Sequence, residues 1–124
     1  MNTKLLKLML ATSLSITALP AMADTLLCTY TAEITEGDKY NSSGTRLNSV
    51  SAIIRQDRAN LYAFDMGDYG DEYDCLFSSK SQRARIPKML SAGYISPQTK
   101  KAILYGTPYI QVRVYKNSIR VDRY

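Results

Sequence analysis

The longest regular pattern of hydrophobic and polar residues in the chain lies at residues 45–64. Apolar residues recur there at helical spacing, and on a helical wheel they fall within a sector of about 120°. The members of this stripe are Leu47, Val50, Ile53, Ile54, Leu61 and Phe64. The pattern predicts an amphipathic helix that begins near Thr45, with Ser43 or Thr45 as its N-cap and with the stripe facing the core.

One polar residue, Asp57, interrupts the middle of this stripe. A carboxylate that faces a core is costly unless it is paired or hydrogen-bonded. We therefore predict that Asp57 is a buried polar anchor, held by an arginine, a tyrosine hydroxyl or free backbone N–H groups from the second half of the chain. Arg55, Arg58 and Tyr62 lie at the edge of the stripe, where their polar ends are predicted to point outward.

Shorter patterns flank the helix on both sides. Residues 25–34 alternate as a strand does, with Tyr30 at the centre of the apolar face. Residues 75–77 are predicted to form a second short strand beside Cys28. The sequence Ser-Lys-Ser-Gln at residues 79–82 matches a capping box that opens a second helix. Pro87 should interrupt that helix and Gly93 should end it, because proline lacks an N–H and glycine is a common C-terminal stop.

The last thirty residues predict a helix and a hairpin. Ser96 and Pro97 place a cap and a first-turn proline in their preferred positions, and Gly106 ends the helix. Residues 109–115 alternate, Lys116 and Asn117 can turn, and the chain returns on a second strand. The order of elements predicts an α+β fold. A small, mainly antiparallel sheet, made of the N-terminal strand and the C-terminal hairpin, would pack against two or three helices with one disulfide.

The first 23 residues have the pattern of a cleaved secretory signal peptide of bacterial type. Lys4 and Lys7 precede an apolar stretch at residues 8–19, and an A-x-A site places cleavage after Ala23. That stretch is shorter than the ~20 residues that a membrane-spanning helix needs. We therefore expect a single soluble domain at residues 24–124, without a transmembrane segment, in the periplasm. In an oxidising compartment Cys28 and Cys75 should form a structural disulfide.

Charge is divided unequally between the two halves of this domain. Residues 24–74 carry ten acidic and four basic residues, whereas residues 75–124 carry ten basic residues and one acidic residue. Such a division predicts either attraction between the halves or a surface with two poles.

The segment at residues 65–74, hereafter the acidic loop, carries five carboxylates and two glycines in ten residues. Its spacing does not match the EF-hand pattern, so we predict no metal and no other cofactor, with Ca²⁺ as the less favoured alternative. A solvated loop is the simplest interpretation. Tyrosines among the carboxylates favour a contact surface, because tyrosine is enriched in interfaces. The predicted partner-binding residues are Asp68, Tyr69, Asp71, Glu72 and Tyr73.

The residues present favour binding over catalysis. Histidine is absent, which removes the commonest general base and most zinc sites. We therefore expect a non-enzymatic protein that binds another envelope protein, as an inhibitor, immunity protein or accessory factor of a secretion or conjugation system. A periplasmic location argues against nucleic acid as the partner.

Two alternatives remain open. The first is binding to anionic lipid, lipopolysaccharide or glycan through a basic surface on the hairpin, formed by Arg113, Lys116, Arg120 and Arg123, with a less coherent cluster at residues 80–88. The second is a hydrolase that uses paired carboxylates, with Asp57 acting together with Asp65 or Asp74.

Overall fold

The computed structural model describes residues 24–124, and the predicted signal peptide lies outside this part of the chain. The elements follow in the order β1 (Leu26–Glu33), a 3₁₀ helix (Glu36–Lys39), α1 (Val50–Tyr62), α2 (Lys80–Arg83), α3 (Ile86–Ala92), β2 (Tyr94–Ile95), α4 (Pro97–Tyr105), β3 (Tyr109–Tyr115) and β4 (Ile119–Arg123). The fold is α+β, which confirms the prediction from the sequence.

The sheet has four strands in the order β1-β3-β4-β2. β1 pairs with β3 and β3 with β4, both antiparallel, so the predicted N-terminal strand and C-terminal hairpin form most of the sheet. The sequence did not predict β2, a two-residue strand parallel to β4. Gly93 precedes it, and a Cβ at that position would overlap the carbonyl oxygen of Ile119. Only glycine lets the two backbones come this close.

The core lies between one face of the sheet and the helices. Its buried sheet residues are Tyr30, Ala32, Ile95, Ile110, Val112, Val114, Ile119 and Val121, and its helical residues are Val50, Ile53, Ile54, Ile86, Met89 and Ile103. The opposite face carries partly or fully exposed polar side chains such as Thr29 and Arg113. An antiparallel sheet with one packed and one wet face is the arrangement that alternating strands predict.

The central helix is shorter than the prediction. It begins at Val50 rather than near Thr45, because the Ser49 hydroxyl accepts a hydrogen bond from the Ala52 N–H at 3.2 Å and caps it. Leu47 lies before the helix and donates its N–H to the Lys39 carbonyl. Phe64 lies after its end and is 47% exposed. The prediction of the apolar stripe was therefore correct in the middle and wrong at Phe64.

The predicted starts of the later helices are confirmed. Ser79 accepts a hydrogen bond from the Gln82 N–H, and Ser96 accepts one from the Thr99 N–H. Pro87 lies in the first turn of α3, so it separates α2 from α3 instead of bending one continuous helix. A proline in that position removes no intrahelical hydrogen bond.

The disulfide between Cys28 and Cys75 is present, with 6.1 Å between the two Cα atoms. Residues 75–77, however, are not a strand. The Asp74 side chain accepts hydrogen bonds from the N–H groups of Leu76 and Phe77 at 2.8 and 2.6 Å. These N–H groups are therefore not available to pair with a neighbouring strand. The prediction of a short strand there was wrong.

Candidate functional site

Arg58, on α1, is the largest fully buried side chain in the described part of the chain. Its Nε donates to Asp57 Oδ2 at 2.8 Å, and its Nη1 donates to the Glu72 carbonyl at 2.8 Å and to Asp74 Oδ2 at 3.1 Å. The expectation that Arg58 points outward was wrong. The expectation that Asp57 is buried and needs a partner was right, but the partner is its immediate neighbour and not a group from the second half.

Two aromatic rings complete the surroundings of this guanidinium. The Arg58 Cζ lies 4.1 Å from the centre of the Tyr30 ring and 6.0 Å from that of Tyr62. A cation is attracted to the face of an aromatic ring. This attraction compensates in part for the missing hydrogen bond of Arg58 Nη2, an atom without a hydrogen-bond partner. Tyr62 also donates from its hydroxyl to Asp74 Oδ2 at 2.9 Å. The network therefore fixes the end of the acidic loop to α1.

The acidic loop covers the outer edge of β1. The Glu72 carboxylate accepts the Thr31 N–H at 2.7 Å, and the Glu72 N–H donates to the Thr31 carbonyl at 2.9 Å. Asp71 accepts the Glu33 N–H at 2.9 Å with one oxygen and the Asp68 N–H at 2.7 Å with the other. An uncovered strand edge invites pairing with another chain. Asp71 and Glu72, which were predicted to bind a partner, thus use their carboxylates within the molecule. The same holds for Asp68, whose carboxylate accepts a hydrogen bond from the Thr35 hydroxyl.

The tyrosines of the loop remain available. Tyr69 is fully exposed and Tyr73 is 73% exposed. The Tyr73 ring packs at a tilt against Tyr62, with 5.5 Å between the ring centres. Beside Tyr69, Gly70 lies so close to the Tyr109 ring that a Cβ would collide with it. The two loop tyrosines therefore project from a backbone that is held on both sides.

Beneath the loop, three carboxylates come together. Asp38 follows β1 in the 3₁₀ helix, Asp57 lies on α1 and Asp68 lies in the acidic loop. One carboxylate oxygen from each lies within 4.8 Å of the others. Asp38 and Asp57 are each 1% exposed, and Asp68 is half-buried. These three residues are the carboxylate cluster.

Neutral groups hold two members of the carboxylate cluster. Asp38 accepts hydrogen bonds from the Asn60 Nδ2 at 2.9 Å and from the Thr35 N–H at 3.0 Å. The Thr35 hydroxyl donates to Asp68 at 2.9 Å. Asp57 Oδ2 takes the hydrogen bond from Arg58, whereas Asp57 Oδ1 has no hydrogen-bond partner. The cluster thus contains a buried carboxylate oxygen that no protein donor satisfies.

Burial is the main influence on the protonation of these groups. It raises the pKa of Asp38 to about 6, although hydrogen bonds from Thr35 and Asn60 act in the opposite direction. Burial also raises the pKa of Asp57 well above its usual range, against the effect of Arg58. The pKa of Asp68 is raised by burial and by the nearby charge of Asp71. Taking a carboxylate out of water disfavours its charged form, so the cluster favours protons or another source of positive charge.

With a chelator present to remove free metal ions, the free energy of unfolding should fall as pH rises through about 6. The pKa of Asp38 is above the ordinary 3.8 in the folded state, so between these values the folded chain binds more protons than the unfolded chain. Its full contribution would be roughly 3 kcal/mol at most. Urea unfolding from pH 4 to 7, with chelator present, measures the effect against Asp38→Asn. Asp57 and Asp68 face the same site and also have raised pKa values, so they should leave a residual slope in the variant. Identical slopes in the two proteins would contradict this expectation.

Of the four basic residues predicted on the outer face of the hairpin, three lie on that face or in the turn and one does not. Arg113 and Arg120 are cross-strand partners on the outer face, near Lys116 in the turn. Arg123 shares the opposite face with Ile119 and Val121, because side chains alternate along a strand, so its expected place on the outer face was wrong. Arg120 is already paired with Asp122 at 3.2 Å.

The cluster at residues 80–88 is weaker still as a surface. Arg83 is buried and donates to the carbonyls of Phe77 and Ser78. Arg85 donates to Gln82 and to the Lys116 carbonyl. Two of the four basic residues in this segment, Arg83 and Arg85, therefore have structural roles.

The two oppositely charged halves do not pair ionically within residues 24–124. The ion pairs of this part of the chain join Lys39 to Glu36, Arg58 to Asp57 and to Asp74, and Arg120 to Asp122, each within one half. The half at residues 24–74 therefore keeps an excess of negative charge near the acidic loop, and the other half keeps a positive excess.

Comparison with protein families, with characterised proteins and with solved structures finds no significant match to this chain. Within the described residues, no helix combines the length and the apolar character needed to cross a bilayer.

The sequence missed three residues that shape the site: Thr35, Asp38 and Asn60. Residues 36–44 have the polar, glycine-containing composition of a loop, and such a composition assigns no specific role to Asp38. The signal was the spacing from Thr35 to Asp38, which matches the reciprocal cap that begins the 3₁₀ helix. Asn60 was predicted to lie on a helix, but its bond to Asp38 joins residues 22 positions apart. Periodicity does not report such contacts.

Proposed function

We propose that this chain is an exported, non-enzymatic binding module that docks on another protein of the cell envelope through the acidic loop. The observation that carries the proposal is the full exposure of Tyr69 beside the largely exposed Tyr73. Large aromatic side chains at such positions supply much of the binding energy of protein interfaces. An inhibitor, an immunity protein and an accessory factor of a secretion or conjugation system all work by this kind of contact.

The fixed backbone under these tyrosines supports the proposal. Glu72 exchanges two hydrogen bonds with Thr31, and Asp71 bonds to the Glu33 N–H. A partner that binds Tyr69 and Tyr73 therefore does not have to order the loop, and association loses less conformational entropy. Charge indicates the type of partner. Because residues 24–74 carry a balance of −6, a surface rich in arginine and lysine is complementary to this side of the molecule.

The alternatives receive less support. A hydrolase would need access to Asp57, which is 1% exposed and committed to Arg58. An anionic surface would meet Arg113, Arg120 and Lys116, while Arg83 and Arg123 lie elsewhere. Tyrosine exposure on the acidic loop has no role in either case.

The test is co-purification from an envelope extract at low salt with wild type, a Tyr69→Ala/Tyr73→Ala variant and a Tyr105→Ala control. Tyr105 is 78% exposed but lies at the end of α4. We expect one protein in stoichiometric amount with wild type and with the control. The loss of one hot-spot tyrosine costs about 2 kcal/mol, which is ~30-fold in affinity, so the double variant should bind at least ~30-fold more weakly even if only one of the two is a hot spot.

Salt and vesicles separate the alternatives. Binding to a basic partner should weaken as salt rises, because surface charges are screened. If no stoichiometric protein is recovered, or if all three proteins recover it equally, the docking proposal is wrong. Binding to anionic vesicles that is unchanged by Tyr69→Ala/Tyr73→Ala and lost on Arg113→Gln/Arg120→Gln would favour the anionic surface instead.

A further inference from the structure

We infer that Asp38, Asp57 and Asp68 form a calcium site beneath the acidic loop. One oxygen from each carboxylate lies within 4.8 Å of the others. Ca²⁺ binds oxygen ligands at about 2.3–2.6 Å, so an ion at the centre of three oxygens with this spacing lies at or slightly beyond binding distance of each, and small side-chain movements let it bind all three. The inference is independent of the docking proposal, since it concerns residues beneath the loop and not the tyrosines.

A second observation, apart from the grouping itself, points to a ligand. Asp57 is 1% exposed, and its Oδ1 has no hydrogen-bond partner although its Oδ2 is bound by Arg58. Buried polar atoms in native proteins are almost always satisfied, and an exception calls for an explanation such as an ion. Asp57 supplies one of the three closely spaced oxygens, so a cation held there would satisfy this carboxylate.

The balance of charge also favours a cation. Arg58 is the only positively charged side chain that bonds to the cluster within residues 24–124, and it is shared with Asp74. Asp38 and Asp68 receive neutral donors from Thr35 and Asn60. Lys39, although next to Asp38, is bonded to Glu36 and to the Gly106 carbonyl. Three carboxylates therefore share part of one guanidinium charge.

The ligand atoms indicate which ion fits. All three are carboxylate oxygens, and the protein has no histidine, while both cysteines are in the disulfide. Hard oxygen ligands select Ca²⁺ or Mg²⁺ over zinc and copper. The ligands come from a 3₁₀ helix, an α-helix and a loop, and this irregular set suits the flexible coordination of Ca²⁺ better than the strict octahedron of Mg²⁺. Asp68 is half-buried, so the ion can enter from the side of the loop.

The experiment is a titration of the intact chain with CaCl₂ by calorimetry, together with thermal unfolding in ~10 mM CaCl₂, in MgCl₂ and in KCl of matched ionic strength. Ligands that bind only the folded state stabilise it by mass action. For a site of millimolar affinity or better, we expect Tm to rise by about 5 °C or more in CaCl₂ and little in KCl. An equal rise in MgCl₂ would overturn the assignment to calcium.

Two matched variants locate the site. Asp68→Asn should weaken calcium binding at least ~10-fold, because it removes one charged ligand. Asp65→Asn is the control, since Asp65 is an exposed carboxylate of the same loop in the left-handed region, with φ of 49°, which asparagine also tolerates. It should bind like wild type. The absence of binding heat and of a Tm change in wild type, or an equal loss in both variants, would overturn the proposal.

Terbium gives a readout that does not depend on stability. Tb³⁺ replaces Ca²⁺ in oxygen sites, and nearby tyrosines sensitise its luminescence. Tyr69 adjoins Asp68 in the chain. Wild type and Asp65→Asn should show luminescence that excess CaCl₂ displaces, whereas Asp68→Asn should not. Luminescence that Asp68→Asn retains in full would place the ion elsewhere and contradict the site.

Discussion

Replacing Arg58 with methionine should lower the free energy of unfolding by about 3–5 kcal/mol. The substitution removes the guanidinium that donates to Asp57, to Asp74 and to the Glu72 carbonyl. Both carboxylates have side chains that are no more than 1% exposed. Removing one partner of a buried ion pair leaves the other uncompensated, and water cannot reach it. Methionine preserves the helix propensity and much of the volume, so the loss reports the charge.

Urea unfolding followed by far-UV circular dichroism measures this effect. Arg55→Met is the control, because Arg55 lies on the same helix, is half-buried and makes none of these contacts. Adding Asp57→Asn and Asp74→Asn to Arg58→Met should recover part of the loss, as contacting residues are not additive. If Arg58→Met were as stable as Arg55→Met to within about 1 kcal/mol, apolar packing would replace the network and its proposed importance would be wrong.

Removing the disulfide should have an effect of similar size. Cys28 and Cys75 are 47 positions apart, and the chain-entropy relation gives roughly 4 kcal/mol for a loop of this length. Domains of this size have only about 5–15 kcal/mol of stability in total. The Cys28→Ala/Cys75→Ala variant should therefore melt about 15–30 °C below wild type, since 1 kcal/mol corresponds to about 4–8 °C.

Two comparisons make the disulfide measurement specific. Wild type treated with reductant should melt like the double variant, whereas reductant should not change the melting of the double variant. The bridge also ends the acidic loop, whose next residue after Asp74 is Cys75. A double variant that melts within a few degrees of oxidised wild type would show that the hydrogen bonds between the loop and β1 suffice to hold that end.

Local patterns predicted much of this fold. The caps at Ser79 and Ser96 and the hairpin of β3 and β4 depend on neighbours in the sequence, and these predictions were correct. The disulfide was predicted from the presence of two cysteines and the expectation of an oxidising compartment. The start of α1 was misplaced because several residues before it can cap a helix. Ser49 does so in the structure, and the choice depends on where the chain leaves the loop.

Tertiary contacts decided what local patterns did not. Arg58 was predicted to point outward because arginine is usually exposed. In the structure, the Tyr30 ring and two carboxylates surround its guanidinium and make its burial favourable. The roles of Asp71 and Glu72 depend on which edge of the sheet is open, and this follows from the strand order and not from alternation. The buried position of Asp57 was predicted, but its place beside Asp38 and Asp68 depends on three segments that are distant in sequence.

The strand order also constrains when the chain can fold. β1, near residue 30, pairs with β3, whose residues follow about eighty positions later, and β3 in turn pairs with β4. No pairing partner for β1 exists until residues 109–115 have been synthesised, so the sheet cannot assemble stepwise behind the ribosome. Pairings this distant in sequence form slowly, because the chain must close a long loop first. The nascent chain therefore remains without its sheet for nearly the whole of its synthesis, and β1 stays unpaired on its β3 side until the C-terminal hairpin has emerged.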